Sequence, residues 1–215
     1  IYQSYSCYLS LFKYKLQFMQ IEQFDTGLKI KKNIEDVEIT PIQNLNNKKF
    51  VIENFRNIYG LKKINLKKNL LNLFDKDIKV NCFEPLNEFN GIDNFIEKFW
   101  NPLFDAFPDI ERRENIILGG SFKDKVQVGS YSTLSGFFLK SWLGIKPNFK
   151  VINLKCCEIH EIKNERIIES HILIDVMDFL RQTDKWVINP SRGSEGAWLP
   201  PFNTEGVNFF EEDMS

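Results

Sequence analysis

The residues best suited to proton transfer lie on one predicted hairpin near the C-terminus. The chain has only two histidines, His160 and His171, and Lys163-Asn164-Glu165 between them predicts a hairpin turn. With a two-residue turn, His160 faces Glu169 across the hairpin. His171 then faces Glu158 on the same face of the sheet. Two such pairs are a candidate proton-handling site, and cross-strand ion pairs on a solvated face are the equal alternative.

The number of residues in that turn decides whether these groups share a face. Side chains alternate along a strand, so a three-residue turn would separate them. Asp175 lies four residues beyond His171, about 13 Å at roughly 3.3 Å per residue, which excludes a direct His–Asp pair. The opposite face carries apolar residues such as Ile159 and Ile172 and is expected to pack on helices. That expectation conflicts with a site on the polar face, and the sequence leaves the conflict open.

The elements that would position these groups are helices first and strands afterwards. Apolar residues at helical spacing predict three helices, and alternating runs predict the strands. The predicted helices are 48–59, 63–74 and 91–107, and the predicted strands are 78–83, 110–118, 125–138, 149–162 and 166–176. Helices segregated from antiparallel strands indicate the α+β class, with helices packed on one face of a curved sheet.

Composition and charge exclude several classes of function. The 215 residues are 43% hydrophobic and carry a formal net charge of -1, so no overall field favours nucleic acid or an anionic membrane. No apolar run is long enough for a span. The four cysteines indicate free thiols in a reducing, cytoplasmic setting. Cys156 and Cys157 are adjacent in a strand and point to opposite faces, so they cannot hold one metal together.

No cofactor or metal site is predicted. Two histidines with glutamate partners fall short of the three or four convergent ligands that a metal needs. Gly119-Gly120 is read as a turn, not as a phosphate-binding loop. Arg112 and Arg113 are interpreted as surface charges.

Three regions are expected along the chain. Residues 1–46 are predicted to be a leader or a poorly ordered extension, and Thr40-Pro41 is expected to break any helix there. Residues 47–188 form the folded domain. Residues 189–215 are predicted to be an irregular tail, and Trp198-Leu199-Pro200-Pro201 resembles the linker to a second domain in longer relatives.

Several short motifs, in order, resemble the SnoaL-like polyketide cyclases of the nuclear transport factor 2-like superfamily. They cover about two thirds of the chain. The motifs are Gly91-Ile92, Phe99-Trp100, Ala106-Phe107-Pro108-Asp109, Leu143-Gly144-Ile145 with Pro147, Glu158-Ile159-His160, Arg166-Ile167-Ile168-Glu169, Asp175 and Arg181-Gln182. The resemblance implies a strongly curved antiparallel sheet wrapped as a cone, closed by N-terminal helices, also described as cystatin-like. One departure is the turn, where Asn164-Glu165 replaces the Asp-Gly that suits positive φ.

The resemblance also implies a catalytic carboxylate in an open-ended pocket, where it takes and returns a proton during an aldol ring closure. By motif that carboxylate matches Asp175, with His160 or His171 to polarise or relay. A base beside a carbonyl carbon gains from an apolar pocket, because desolvation raises a carboxylate pKa toward working pH. The alternative is that Asp175 caps the turn at 177–180.

Two functions follow as hypotheses. One is a cyclase or isomerase acting by general acid–base catalysis on a small apolar carbonyl compound, without a cofactor. The other is a non-catalytic binding or dimerisation module on the same fold, and a homodimer is expected in either case. Six residues are candidates to line the pocket, although core packing is the stronger reading for each aromatic one: Trp100, Phe107, Tyr131, Phe138, Trp142 and Glu158.

Overall fold

The computed structural model describes residues 37–61, 65–186, 189 and 206–207. Six strands form one sheet in the order β2-β1-β6-β5-β4-β3. The strands are β1 (Phe74–Asn81), β2 (Glu88–Asn90), β3 (Glu111–Phe122), β4 (Lys125–Phe137), β5 (Val151–Lys163) and β6 (Arg166–Ile174). The helices are α1 (Pro41–Leu61), α2 (Leu66–Leu73), α3 (Ile92–Phe95), a π-helical turn (Ile96–Trp100), α4 (Asn101–Ala106) and α5 (Val176–Gln182). This arrangement confirms the predicted α+β class.

Helix α1 begins earlier than the sequence predicted. The Thr40 Oγ1 accepts a hydrogen bond from the Gln43 backbone N–H at 3.2 Å, and the Gln43 Oε1 accepts one from the Thr40 N–H at 2.9 Å. This is a capping box, and Pro41 occupies the first helical position, where its missing N–H costs nothing. Thr40-Pro41 therefore marks the start of a helix, and residues 41–47, where the sequence predicted none, are helical. The predicted extension still includes residues 1–36, which lie outside the described part of the chain.

The predicted helix 91–107 is present but changes its pitch. It runs through α3, the π-helical turn and α4, with Phe95, Phe99 and Leu103 buried. Pro102 is the second residue after the π-helical turn. A proline cannot donate to the carbonyl four residues back and its ring crowds that carbonyl, so a widened turn accommodates it where a regular turn would not.

The sheet is antiparallel except at one junction. Strands β3 to β6 form a meander, and β1 joins β6 in parallel. Helix α1 packs against β3 and β4. The face toward α1 is called the inner face below. Its β5 residues are buried and alternate with exposed or half-buried ones; they are Ile152, Leu154, Cys156, Glu158, His160 and Ile162.

The hairpin turn has two residues, yet the predicted pairing across it was wrong. Lys163 pairs with Arg166, and Asn164 and Glu165 both have positive φ, 51° and 54°. A β-bulge follows the turn, because Ile162 pairs with Ile167 whereas Glu161 pairs with Glu169. The extra residue on β6 reverses the parity of every later pair.

The two histidines therefore lie on opposite faces. His160 pairs with Ser170 and is fully buried, while His171 pairs with Ile159, which is 40% exposed. The sequence predicted that the face containing Ile159 packs on helices. In the structure Ile159 lies on the opposite, outer face. The inner face carries Glu158 and His160, which removes the conflict that the sequence left open.

Most of the aromatic pocket candidates belong to the core. Trp100, Phe107, Phe138 and Trp142 are each at most 3% exposed. Phe107 stacks on Phe138 with ring centroids 5.0 Å apart. Their environment is that of close-packed core residues, whereas Tyr131 pairs with Cys157 on the outer face.

None of the helices in the described residues has the length and hydrophobicity needed to cross a bilayer.

Candidate functional site

The inner face holds a cluster of polar side chains within an otherwise apolar interior. Arg112 and Glu114 come from β3, Glu158 and His160 from β5, and Ser130 from β4. Each pair from one strand is two residues apart, so alternation places both members on the same face. The side chains of Arg112, Glu158 and His160 are 1%, 5% and 0% exposed. We call these five residues with Ser170 of β6 the inner polar cluster.

An ion pair forms the centre of the inner polar cluster. The Arg112 Nη2 lies 2.5 Å from the Glu158 Oε2 and donates to the Ser130 Oγ at 3.1 Å. The Arg112 Nε donates to the Glu114 Oε1 at 2.9 Å. A buried charge is tolerated only when it is paired and hydrogen-bonded, and Arg112 meets both conditions through two carboxylates.

Glu158 is an ionised carboxylate in this setting. Burial by itself raises the pKa of Glu158, but the adjacent charge of Arg112 outweighs burial and holds the pKa below its ordinary value. The Ser130 hydroxyl adds a hydrogen bond to the Glu158 Oε2 at 3.3 Å. Glu158 therefore carries its negative charge at neutral pH and can stabilise a positive charge that forms beside it.

His160 is a neutral imidazole beside that carboxylate. Complete burial lowers the pKa of His160 to about 4, even though the Glu158 charge acts in the opposite direction. The His160 Nδ1 lies 2.9 Å from the Ser170 Oγ, and this hydrogen bond orients the ring. The His160 Nε2 is 3.9 Å from the Glu158 Oε2, beyond hydrogen-bond distance.

Helix α1 covers the inner polar cluster with aromatic rings. The Phe55 ring lies over the Arg112 guanidinium, 4.1 Å from its centroid to Cζ, and 5.5 Å from the His160 ring. The Tyr59 ring is 5.9 Å from the same Cζ. Burial raises the pKa of Tyr59 far above its ordinary value, so its hydroxyl stays neutral. These contacts exclude bulk water and strengthen the electrostatic interactions beneath them.

Several buried polar atoms in this part of the interior have no hydrogen-bond partner among the described residues. They are the Arg112 Nη1, the His160 Nε2, the Ser132 Oγ and the Trp100 Nε1. Native proteins leave few buried polar atoms unpaired, and such atoms indicate a place for water or a ligand. The interior therefore has unused capacity to donate to an oxygen atom and to accept a proton.

Asp175 lies elsewhere, in the position of the alternative that the sequence offered. It is exposed, it is the N-cap of α5, and its Oδ1 accepts from the Asp178 N–H at 2.9 Å. The desolvation on which its predicted catalytic role depends is not present. The role itself stays a prediction, and the geometry supports capping.

His171 belongs to an ion network on the outer face. Its Nε2 lies 3.6 Å from the Glu169 Oε1, and Glu169 also lies 3.0 Å from the Lys125 Nζ. Lys125 contacts Glu161 as well, at 2.6 Å. This network matches the predicted alternative of cross-strand ion pairs on a solvated face.

Sequence reasoning found two members of the inner polar cluster and missed the others. It named Glu158 and His160, but the interpretation of Arg112 as a surface charge was wrong. The sequence contained part of the necessary signal, because Arg112 and Glu114 alternate with Glu111 and Arg113 along a strand. Alternation shows that the two pairs occupy opposite faces, but with charges on both it does not show which pair is buried.

Metal-ligand geometry does not occur in the part of the chain that the structure describes, where no three His, Cys, Asp or Glu side chains converge.

Known structures resemble the fold described above. A candidate SnoaL-like polyketide cyclase from Jannaschia sp. CCS1 superposes with a TM-score of 0.56 and 17% identity, over 66% of this chain and 94% of that one. AclR, a candidate hydroxylase from Streptomyces galilaeus, superposes with a TM-score of 0.53 and 14% identity, over 67% of this chain and 99% of AclR. TsrD from Streptomyces laurentii superposes with a TM-score of 0.52 and 14% identity, over 69% of this chain and 99% of TsrD. At these identities the likeness concerns the fold.

A comparison with curated proteins finds no match. A family model does match, and it is described as SnoaL-like polyketide cyclase and spans residues 62–183. That range includes the second predicted helix, all six strands and all of α5, and it is more than half of the 215 residues. The chain therefore belongs to the SnoaL-like polyketide cyclase family.

Proposed function

We propose that this protein is a cyclase or isomerase that acts by general acid–base catalysis on a small apolar carbonyl compound. The observation that carries the proposal is a neutral His160 with an unpaired Nε2 beside an ionised Glu158, both buried. In this proposal His160, and not Asp175, takes a proton from the carbon next to a carbonyl group. The same imidazole returns the proton after rearrangement, as general acid–base catalysis requires.

Glu158 supports this step electrostatically. When the His160 ring accepts a proton it becomes a cation, and the carboxylate 3.9 Å away stabilises it. In the free protein this attraction is smaller than the opposing effects of burial and of the Arg112 charge, which together keep the pKa of His160 at about 4. Ser170 holds the Nδ1 side of the ring, which leaves the Nε2 side for the substrate.

The surroundings of the cluster define the substrate class. Apolar and aromatic groups such as Phe55, Phe74 and Cys156 fill the rest of the inner face. A compound that enters must be mainly apolar, with carbonyl oxygens that use the unpaired donors. It must also fit beneath α1, from which the Phe55 ring packs on the cluster.

Hydrogen–deuterium exchange tests the proposal without knowledge of the natural substrate. Ethyl 3-oxohexanoate, a neutral β-keto ester, is incubated in D2O and the loss of its C2 proton signal is followed by NMR. We expect the wild type to accelerate exchange above the buffer rate. His160→Gln should reduce this acceleration about 100-fold or more, in line with the contribution of a positioned acid–base group.

Asp175→Asn is the matched control. Asparagine keeps the N-cap, so this variant should retain both its fold and its exchange rate. If Asp175→Asn loses exchange while His160→Gln keeps it, the base is Asp175 and our assignment is overturned. If the wild type does not accelerate exchange at all, the catalytic proposal for this compound class fails.

A second candidate is a non-catalytic binding or dimerisation module. Two observations favour it: Phe55 closes the interior over the cluster, and Asp175 faces solvent. On the outer face Leu118, Ile159 and Leu173 are 69%, 40% and 38% exposed, an apolar area that a second copy of the chain can cover. Light scattering of the wild type and of Ile159→Lys checks this candidate, which predicts a dimer that the charge disrupts.

A further inference from the structure

The hydrogen bonds of Arg112 account for only part of its guanidinium. The Nε donates to Glu114 and the Nη2 contacts both Glu158 and Ser130. The Nη1 makes no hydrogen bond of acceptable geometry among the described residues, although the side chain is 1% exposed; the Tyr59 hydroxyl, a neutral polar group, interacts with the guanidinium. A guanidinium has five N–H donors in a fixed plane, and two of them are on Nη1.

This arrangement differs from what a purely structural arginine needs. An unpaired buried donor on a charged group costs more than a neutral one. Two carboxylates already more than offset the charge of Arg112, so electroneutrality does not require a contact on the Nη1 side. The carboxylates instead fix the plane of the guanidinium, and Phe55 covers one of its faces at 4.1 Å. A rigid donor with an unused N–H pair in a water-excluded site is suited to bind an oxygen whose charge increases during a reaction.

We propose that Arg112 binds the carbonyl oxygen of the substrate through Nη1, and that Glu114 is the positioning residue that fixes the guanidinium for this contact. This inference rests on the proposed function. In the enolisation step, the C–H bond next to the carbonyl breaks and the proton passes to the His160 Nε2. The electron pair of that bond forms the C=C bond, the C=O electrons move to oxygen, and the Nη1 N–H groups stabilise the resulting enolate. Return of the proton reverses these changes, so no oxidant or reductant takes part.

Two measurements on one probe test this role. The probe is ethyl 3-oxohexanoate with a 13C label at the ketone, and its affinity is measured by calorimetry. Difference infrared spectroscopy then reports the ketone stretch of the bound probe. We expect the stretch to lie at lower frequency when bound to the wild type than in buffer, because N–H donation weakens the C=O bond.

Arg112→Lys should remove this frequency shift and reduce the exchange rate about 100-fold, the effect of losing one donor to an oxyanion. Glu114→Gln keeps the guanidinium but loses its charged partner, so we expect an intermediate shift and a smaller loss of exchange. Arg113→Lys is the matched control, since Arg113 is exposed on the same strand. It should behave as the wild type does. Circular dichroism identifies any variant that fails to fold, and Glu114→Gln then stands in for Arg112→Lys.

The outcomes separate this inference from the proposed function. If the probe binds and its stretch shifts, but exchange is not accelerated, the catalytic proposal fails and the Arg112 contact is retained. If exchange is accelerated and neither Arg112→Lys nor Glu114→Gln changes the stretch, the Arg112 role is overturned and the catalytic proposal is retained. Failure of the wild type to bind the probe overturns both.

Discussion

At the scale of single residues, the protein separates its two histidines by environment. His160 is enclosed by aromatic rings and kept neutral, while His171 lies in a partly exposed network of Lys and Glu side chains. Burial penalises the charged imidazole in both places, but Glu169 and the surrounding water moderate the effect at His171. Of the two histidines, only His160 therefore combines a fixed orientation with an unpaired nitrogen, and its lowered pKa links folding to pH.

We predict that His160 makes the protein less stable in mild acid. The unfolded chain binds a proton at this residue near pH 6.5, whereas the folded protein does so only near pH 4, so unfolding takes up a proton between these values. The free energy of unfolding should therefore fall by about 2 kcal/mol between pH 7 and pH 5. Urea unfolding of the wild type and of His160→Gln measures this, and the variant should lose most of the dependence.

The control for that prediction is His171→Gln, which removes the partly exposed imidazole. It should keep most of the wild-type dependence on pH. An equal dependence in the wild type and in His160→Gln would show that His160 does not titrate with a lowered pKa.

At the scale of elements, the β5–β6 hairpin determines which side chains enter the interior. Its turn and its bulge act together: the turn joins Lys163 to Arg166, and the bulge then shifts Glu161 opposite Glu169. The turn places two ordinary L-residues at positive φ, where the Cβ atom is sterically disfavoured. Asparagine tolerates this conformation better than glutamate does, so the strain is concentrated at Glu165.

We predict that Glu165→Gly stabilises the protein. Glu165 has φ of 54°, and glycine relieves a cost of about 1–2 kcal/mol there but loses about 0.5–1 kcal/mol through its freer unfolded chain. The expected net gain is about 0.5–1 kcal/mol, measured by thermal or urea unfolding. Glu165→Ala keeps a Cβ atom and should give no gain, so equal stabilities for the two variants would contradict the explanation.

At the scale of the molecule, sheet order leaves the long strand β3 at an edge, and other parts of the chain contact it. The Ile117 N–H donates to the Gly206 O at 2.7 Å, and the Asn44 Nδ2 of α1 donates to the Gly119 O at 2.9 Å. An unpaired edge can pair with another chain, so such contacts protect the sheet from aggregation. They also attach α1, which covers the inner polar cluster, to the strand that carries Arg112.

We predict that Gly206→Ala detaches this part of the C-terminal segment from β3. An added Cβ would lie 2.2 Å from the Asn115 carbonyl oxygen, which backbone cannot accommodate without moving. Loss of one hydrogen bond worth about 1 kcal/mol should speed exchange of the Ile117 amide about fivefold, as measured by hydrogen exchange and NMR. Gly120→Ala, with open space around its added Cβ, should leave that amide protected, and unchanged protection in Gly206→Ala would show that the contact contributes nothing.

The sequence by itself determined the features that depend on neighbouring residues. Helical spacing identified the helix that contains Phe95 and Phe99, and the strand patterns identified every strand except the three-residue β2. The segregation of helices from strands indicated the α+β class, and the ordered motifs indicated the family. These predictions succeeded because hydrophobic periodicity is imposed locally, by the geometry of a helix or a strand against one buried side.

Only the tertiary structure decided which groups form the candidate site. One extra residue near Ile168 reverses the parity of β6, and no local pattern predicts it, because a bulge is stabilised by the packing of both strands at once. Arg112 is buried because Glu158, from a strand more than forty positions along the chain, and Phe55, from α1, meet it in space. A charged residue enters a core only when such distant partners repay its desolvation, and their convergence is a property of the assembled sheet.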